Sequence, residues 1–128
     1  MSLFNFFGND QNKGTESSKI NWNPLTDLQQ LSYAVEESKT RPIVIFKHST
    51  RCSISRMALK QFENEFDLRD QVTPYFLDLI AHREVSNAIA EQFNVIHQSP
   101  QLLLIKEGKS VYHVSHDAID AEALKSEV

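Results

Sequence analysis

The sequence has little cysteine, no long apolar run and no excess of positive charge. Its 128 residues include a single cysteine, Cys52, so neither an internal disulfide nor a multi-cysteine zinc site can form, and we expect no bound metal. No segment reaches the roughly eighteen apolar residues that span a bilayer, and no signal-peptide pattern is present. The net charge of −4 disfavours nucleic acid as a partner. We therefore expect a cytoplasmic protein that acts without metal, membrane or nucleic acid.

The composition that is present is typical of one ordinary globular domain. Hydrophobic residues make up 41% of the chain and charged residues 23%, close to the average of soluble folded proteins. Residues 9–19 are polar and contain glycine and serine, so we interpret residues 1–19 as a flexible N-terminal leader. The domain itself is predicted to cover residues 20–128.

Hydrophobic periodicity predicts five strands and four helices in the order β-α-β-α-β-α-β-β-α. The predicted strands are 20–22, 43–46, 74–79, 102–105 and 111–114, and the helical stripes lie within 25–35, 53–66, 85–93 and 117–124. Single strands that alternate with helices form a mainly parallel sheet covered on both faces, and the closing hairpin adds an antiparallel edge. The predicted fold class is an α/β sandwich.

The positive charges are concentrated around the cysteine. No acidic residue occurs between Glu37 and Glu63, whereas six basic residues do. These are Lys39, Arg41, Lys47, Arg51, Arg56 and Lys60. Because cations stabilise a thiolate, Arg51 and Arg56, within a turn of Cys52, favour a reactive thiol. Each arginine is explained equally well as a solvated surface charge.

Cys52 is also predicted at the start of a helix, just beyond the carboxyl end of a buried strand. Reactive groups of open α/β sheets gather at this edge. The free backbone amides of Ile54 and Ser55 are expected to face the sulfur, and the hydroxyls of Ser53 and Ser55 can donate to it. The alternative is an inert cysteine buried as a small apolar side chain, which its polar neighbours disfavour.

Residues 47–55, with the sequence KHSTRCSIS, carry a resemblance to a known family. They are similar to the Lys-His-Ser stretch and the Cys-x-x-Ser motif of YtxJ-type monothiol bacilliredoxins, and Ser99-Pro100 precedes an apolar strand as in thioredoxin-like proteins. The resemblance covers residues 20–128 and implies a thioredoxin-like three-layer α/β/α sandwich with a mixed sheet. One departure is Ser53, because relatives often have proline directly after the cysteine.

The resemblance implies a one-thiol exchange reaction. Cys52 takes bacillithiol, or a similar low-molecular-weight thiol, from an S-thiolated client protein, and a second thiol then releases it. Ser55 stands where dithiol thioredoxins have their second sulfur, so the cycle has no internal disulfide. No bound cofactor is implied. The small thiol is a co-substrate, and an NADPH-dependent flavin reductase supplies the electrons indirectly.

The resemblance also implies which residues contact the substrate. Pro100 is expected to be a cis-proline facing Cys52, with the backbone of Ser99 pairing with an extended substrate. Lys47, together with Arg51 and Arg56, is expected to bind the carboxylates of bacillithiol, and a solvated surface charge stays open as the alternative for each. His48 is placed in the same group, where it tunes the thiolate or moves protons, and a purely structural role stays open for it.

Two alternatives stay open at this point. Asp117, after Ser115-His116, either binds a polar end of the small thiol or only caps the last helix. The domain as a whole is either an enzyme or a non-catalytic thioredoxin-like module that binds partner proteins. The intact Cys52, its cationic surroundings and Pro100 favour the enzyme.

Overall fold

Five strands form one sheet in the part of the chain that the structure describes, and the helices connect them in the predicted order. This computed structural model describes residues 20–128, so the predicted leader at residues 1–19 lies outside the described residues. The strands are β1 (Asn23–Pro24), β2 (Ile43–His48), β3 (Thr73–Asp78), β4 (Gln101–Lys106) and β5 (Lys109–Ser115). The α-helices are α1 (Leu28–Glu37), α2 (Ser53–Glu65), α3 (Arg83–Phe93) and α4 (Ala121–Lys125). None of these helices is long and apolar enough to span a membrane.

The strand order in the sheet is β1-β3-β2-β4-β5. β1, β3 and β2 run parallel, whereas β4 runs antiparallel to both β2 and β5. The mixed sheet and its closing hairpin are confirmed, but the parallel part is smaller than expected. β4 begins at Gln101, opposite Lys47 near the end of β2. Residues 94–100 therefore run from the end of α3 back to the edge of the sheet at which α3 begins. The Gln101 end of β4 therefore lies at the same edge of the sheet as the chain that follows β2.

The two faces of the sheet carry separate apolar clusters, because successive side chains of a strand point to opposite faces. Ile43 and Ile45 of β2 pack with α1 and α3, and Val44 and Phe46 pack with α2 and α4. Every residue of β2 is buried, as expected of a central strand covered on both sides. The structure is therefore the predicted three-layer α/β/α sandwich.

The first strand differs from its prediction. Ile20 and Trp22 pack into the cluster beneath α2 and α4, and the strand is the following pair, Asn23–Pro24, rather than residues 20–22. The indole ring of Trp22 lies against Phe46 and Phe62, and this contact anchors the beginning of the described chain. Packing of the large side chains, rather than strand pairing, governs the conformation here.

The predicted cap of the last helix is wrong. Asp117 lies in a 3-10 turn, His116–Ala118, and it is Asp120 that caps α4 by accepting a hydrogen bond from the Glu122 amide at 3.0 Å. Between the turn and the helix, the chain is extended at Ile119, whose side chain is buried in the core. Burial of Ile119 separates the turn from the helix, which leaves Asp117 exposed.

Candidate active site

Cys52 lies at the N-terminus of α2, as predicted. It is the N-cap residue, with an extended backbone (φ −111°, ψ 121°), and it is partly exposed. Its amide donates to Ser49 O at 3.2 Å, and its carbonyl accepts from Arg56 N at 3.1 Å. Within the described chain the sulfur makes no capping hydrogen bond, so the amides of Ile54 and Ser55, which were expected to face it, are not bonded to it. These two backbone hydrogen bonds help to hold the cysteine at this partly exposed position.

The hydroxyl of Ser55 is occupied by groups at the end of β2. Ser55 is fully buried, and its Oγ lies 2.8 Å from His48 Nδ1 and accepts the Ser49 amide at 3.0 Å. The predicted bond from this hydroxyl to the sulfur of Cys52 is not formed in the described structure. The hydroxyl instead ties the first turn of α2 to the strand, which fixes the short loop that carries the cysteine.

His48 is buried directly behind this loop. Its ring contacts those of Phe46 and Phe76, at centroid distances of 6.5 and 5.5 Å. Burial lowers the pKa of His48 below its usual 6.5, although the carboxylate of Asp78 opposes this shift, and the charge of Arg56 adds to it. The ring is therefore neutral at pH 7 and out of reach of a substrate. Of the two roles left open for His48, substrate contact and a structural one, the structure favours the structural one, the bond with the Ser55 hydroxyl.

We expect Ser55→Ala to lower the free energy of unfolding by about 2 kcal/mol, because the Ser49 amide and His48 Nδ1 would be buried without a partner. Urea unfolding followed by the fluorescence of Trp22, the only tryptophan, measures the change. Ser53→Ala is the matched control, because Ser53 is exposed in the same turn and its loss should cost less than about 0.5 kcal/mol. Equal costs for the two variants would contradict the structural role of the Ser55 hydroxyl.

The two arginines next to the cysteine are exposed. Arg56 donates to the carbonyl of Thr50 at 3.2 Å, which keeps its guanidinium over the loop that leads to Cys52. Within residues 20–128 neither Arg51 nor Arg56 is paired with a carboxylate. The charge expected around the thiol is thus present at the surface, where an anionic group can reach it. Ser53 is also exposed.

The Ser99–Pro100 peptide bond is cis, as predicted. Pro100 directly precedes β4, and its carbonyl accepts the amide of His116 at 3.0 Å. Since β4 begins opposite the end of β2, this segment lies at the edge of the sheet where the loop to Cys52 starts. The hydroxyl of Ser99 is buried and has no hydrogen-bond partner within the described chain. The proline segment and the cysteine loop thus belong to one edge of the domain.

Lys47 does not reach the surface, so the prediction that it binds substrate carboxylates is wrong for this structure. Its side chain is 0% exposed, and its Nζ donates to Gln101 Oε1 at 3.0 Å. The physical reason is strand alternation: Lys47 follows Phe46 in β2 and points to the face covered by α1 and α3, opposite α2. Burial lowers the pKa of Lys47 from 10.5 to about 8.

Comparison with known proteins agrees with the fold and with the single thiol. Residues 23–124 match the model of the family described as monothiol bacilliredoxin BrxC. The chain belongs to this family. A solved structure described as having a thioredoxin fold is 31% identical, with a TM-score of 0.71, and the match covers 80% of this chain and 89% of that one. Family and fold together assign this bacilliredoxin a thiol redox function.

More distant structures show the same fold. Thioredoxin from Malassezia sympodialis is 17% identical, with a TM-score of 0.67, over 86% of this chain and 90% of that one. Thioredoxin from Fasciola hepatica is 22% identical, with a TM-score of 0.63, over 82% and 94%. At these identities the likeness concerns the fold alone. It places the Cys52 end of α2 and the Ser99–Pro100 segment of this bacilliredoxin within a thioredoxin fold.

A groove beside α2 was not predicted from the sequence. It has a volume of about 460 Å³ and lies between the outer face of α2 and the 3-10 turn. Its lining residues are Ile54, Met57, Ala58, Gln61, His116, Asp117 and Ile119. Ile54 and Met57 are 55% and 71% exposed, so these side chains give the groove an apolar surface along the first turns of α2. Ile54 and Met57 are three residues apart and lie outside the buried stripe of the helix. This spacing is the sequence signal that could have indicated the groove.

The remaining polar side chains do not form a metal site. No group of three or more His, Cys, Asp or Glu side chains within residues 20–128 is arranged to hold a metal ion. Asp117, the other candidate for binding the small thiol, is one of the residues that line the groove. This edge of the sheet carries one thiol, two exposed guanidinium groups and the Ser99–Pro100 backbone.

Proposed function

We propose that this bacilliredoxin removes bacillithiol from S-bacillithiolated client proteins through a mixed disulfide on Cys52. The observation that carries the proposal is a lone, partly exposed thiol at a helix N-cap, with a buried serine three residues later. A second sulfur at position 55 would release the small thiol internally. With Ser55 there, the adduct on Cys52 waits for an external thiol, which is the behaviour of a monothiol carrier.

The exchange has two balanced steps. The Cys52 thiolate attacks the bacillithiol sulfur of the client disulfide, forms a new S–S bond to it, and releases the client cysteine as a thiolate. A second bacillithiol thiolate then attacks the adduct, which yields bacillithiol disulfide and restores the Cys52 thiolate. An NADPH-dependent flavin reductase reduces the bacillithiol disulfide, so the two electrons come from NADPH and the domain itself binds no cofactor.

The charges and the backbone at this edge support two separate contacts, one for each part of the substrate. Bacillithiol carries the carboxylates of malate, and the unpaired guanidinium groups of Arg51 and Arg56 are the exposed cations next to the thiol that can bind them. The client chain, which needs backbone partners, pairs with the Ser99 backbone next to Pro100. The substrate thus contacts side chains of the cysteine loop and the main chain of the proline segment.

The test is de-thiolation of a model protein that carries one S-bacillithiolated cysteine. We expect whole-protein mass spectrometry to show the bacillithiol adduct moving from the model protein to Cys52, and added bacillithiol to clear it. The same protein carrying glutathione is the competing substrate, and we expect faster transfer from the bacillithiol form. Binding of the model protein without transfer of the adduct would support a non-catalytic interaction module instead, and preference for glutathione would reassign the co-substrate.

A further inference from the structure

The proposed reaction leaves one buried charged group without a role. Lys47 is completely buried in β2, on the face where its strand neighbours Ile43 and Ile45 contribute to an apolar cluster. A buried ammonium is costly, since it gives up the hydrogen bonds of water, and here Gln101 Oε1 is its hydrogen-bond partner in the described chain. An apolar side chain would fill this position at lower cost. The lysine therefore needs an explanation other than packing.

Gln101 connects Lys47 to the loop before β4. Gln101 is also buried, its Nε2 donates to Ile96 O at 3.1 Å, and its Oε1 accepts the Gln98 amide at 3.4 Å. A glutamine amide can point either way, but an ammonium donates only and so accepts only the oxygen end. Lys47 thereby fixes the orientation in which Gln101 holds both ends of residues 96–98. These residues lead directly into Ser99–Pro100.

We propose that Lys47 is a positioning residue that acts through Gln101 to hold residues 96–100 in the conformation that receives the client backbone. This proposal rests on the proposed function in one respect, that residues 96–100 bind the backbone of a client protein. The cluster itself joins the strand before Cys52 to the segment before Pro100, because Lys47 and Gln101 are partners in the β2–β4 ladder. Lys47 thus contributes to substrate binding without touching substrate.

The cluster should respond to pH near 8. Hydrogen bonds from a charged donor are about twice as strong as neutral ones, so the bond to Gln101 weakens when Lys47 loses its proton. Two other basic groups are involved: His97 in the loop, on which the charge of Lys47 acts, and Arg83 at the start of α3, whose charge also acts on His97. Burial, then the charge of Lys47, then that of Arg83, lower the pKa of His97, so this ring is already neutral at pH 7. Lys47, with its pKa of about 8, is the group that titrates.

Amide hydrogen exchange tests the positioning directly and does not depend on the reaction. In Lys47→Met we expect the protection of the Gln98 amide to fall about 10-fold, and in the unaltered protein we expect it to fall as the pH rises from 7 to 9. Lys47→Met should show no such pH step. The matched control is Lys109→Met, an exposed lysine at the opposite end of the sheet, which should change neither result. Unchanged protection in a folded Lys47→Met variant would overturn the proposal.

Exchange kinetics supply the second measurement. We expect Lys47→Met to raise KM for an S-thiolated client about 10-fold, while its rate with a small aromatic disulfide reagent, which needs no backbone pairing, stays within twofold. The double variant Lys47→Met with Gln101→Leu removes both polar partners, so it guards against misfolding of a single variant. Its KM should be no higher than that of Lys47→Met. A KM clearly above that of Lys47→Met would overturn the coupling between the two residues. If the unaltered protein does not act on clients at all, the proposed function fails, and the amide exchange still decides the role of Lys47.

Discussion

Replacing Cys52 with serine is expected to abolish thiol transfer completely and to stabilise the fold at the same time. The chain has no other sulfur nucleophile, because Cys52 is its single cysteine, and a hydroxyl does not exchange with a disulfide. Serine is a preferred N-cap residue, whereas Cys52 occupies the N-cap of α2 without a capping hydrogen bond. The new hydroxyl can accept an amide of the first turn, so we expect the free energy of unfolding to rise by about 1 kcal/mol.

The opposite signs of the two effects make the result informative. De-thiolation of an S-bacillithiolated protein and urea unfolding are measured on the same preparation of Cys52→Ser. Loss of activity in a more stable protein cannot come from misfolding, so it identifies the sulfur as the reacting group. Activity that persists in this variant would show that Cys52 is not the nucleophile. Lower stability would show that the N-cap geometry of α2 is not as described.

Local pattern was enough to predict the elements that carry the thiol. The apolar run Ile43–Phe46 predicts a buried strand, and the apolar spacing of Leu59, Phe62 and Phe66 predicts the following helix. Each signal lies within a few residues of the feature it predicts, and the two together put Cys52 at the helix start. The cis bond before Pro100 was predicted from the family resemblance, since the sequence around a proline does not distinguish the two isomers.

The parts that sequence reasoning missed depend on contacts between distant segments. Lys47 was expected at the surface because it belongs to a cluster of charges in sequence, but its position in β2 turns it away from Cys52 and toward Gln101. The groove between α2 and the 3-10 turn needs two segments that are more than fifty residues apart, such as Met57 and Asp117. A pattern within one segment does not contain the partner, so only the fold reveals these contacts.

Replacing Ser55 with cysteine is expected to convert the monothiol carrier into a dithiol protein. Ser55 follows Cys52 at the spacing of the Cys-x-x-Cys redox motif, and both lie at the start of α2. The introduced sulfur competes with free thiol as the group that attacks the Cys52 adduct, and an intramolecular attack needs no encounter. We expect the lifetime of the bacillithiol adduct to shorten on the order of 10²-fold at millimolar thiol, with an internal disulfide as the product. Mass spectrometry of the adduct against time measures the change.

Ser53→Cys is the matched control, because it adds the same sulfur to the same turn but directly next to Cys52, where adjacent residues cannot close a relaxed disulfide. In that variant the Cys52 adduct should persist until an external thiol removes it. An equally long-lived adduct in Ser55→Cys would mean that the buried position at 55 is out of reach of the mixed disulfide. In that case the hydrogen bonds that Ser55 makes to His48 and Ser49, rather than the absence of a second sulfur, would explain why this position carries a serine.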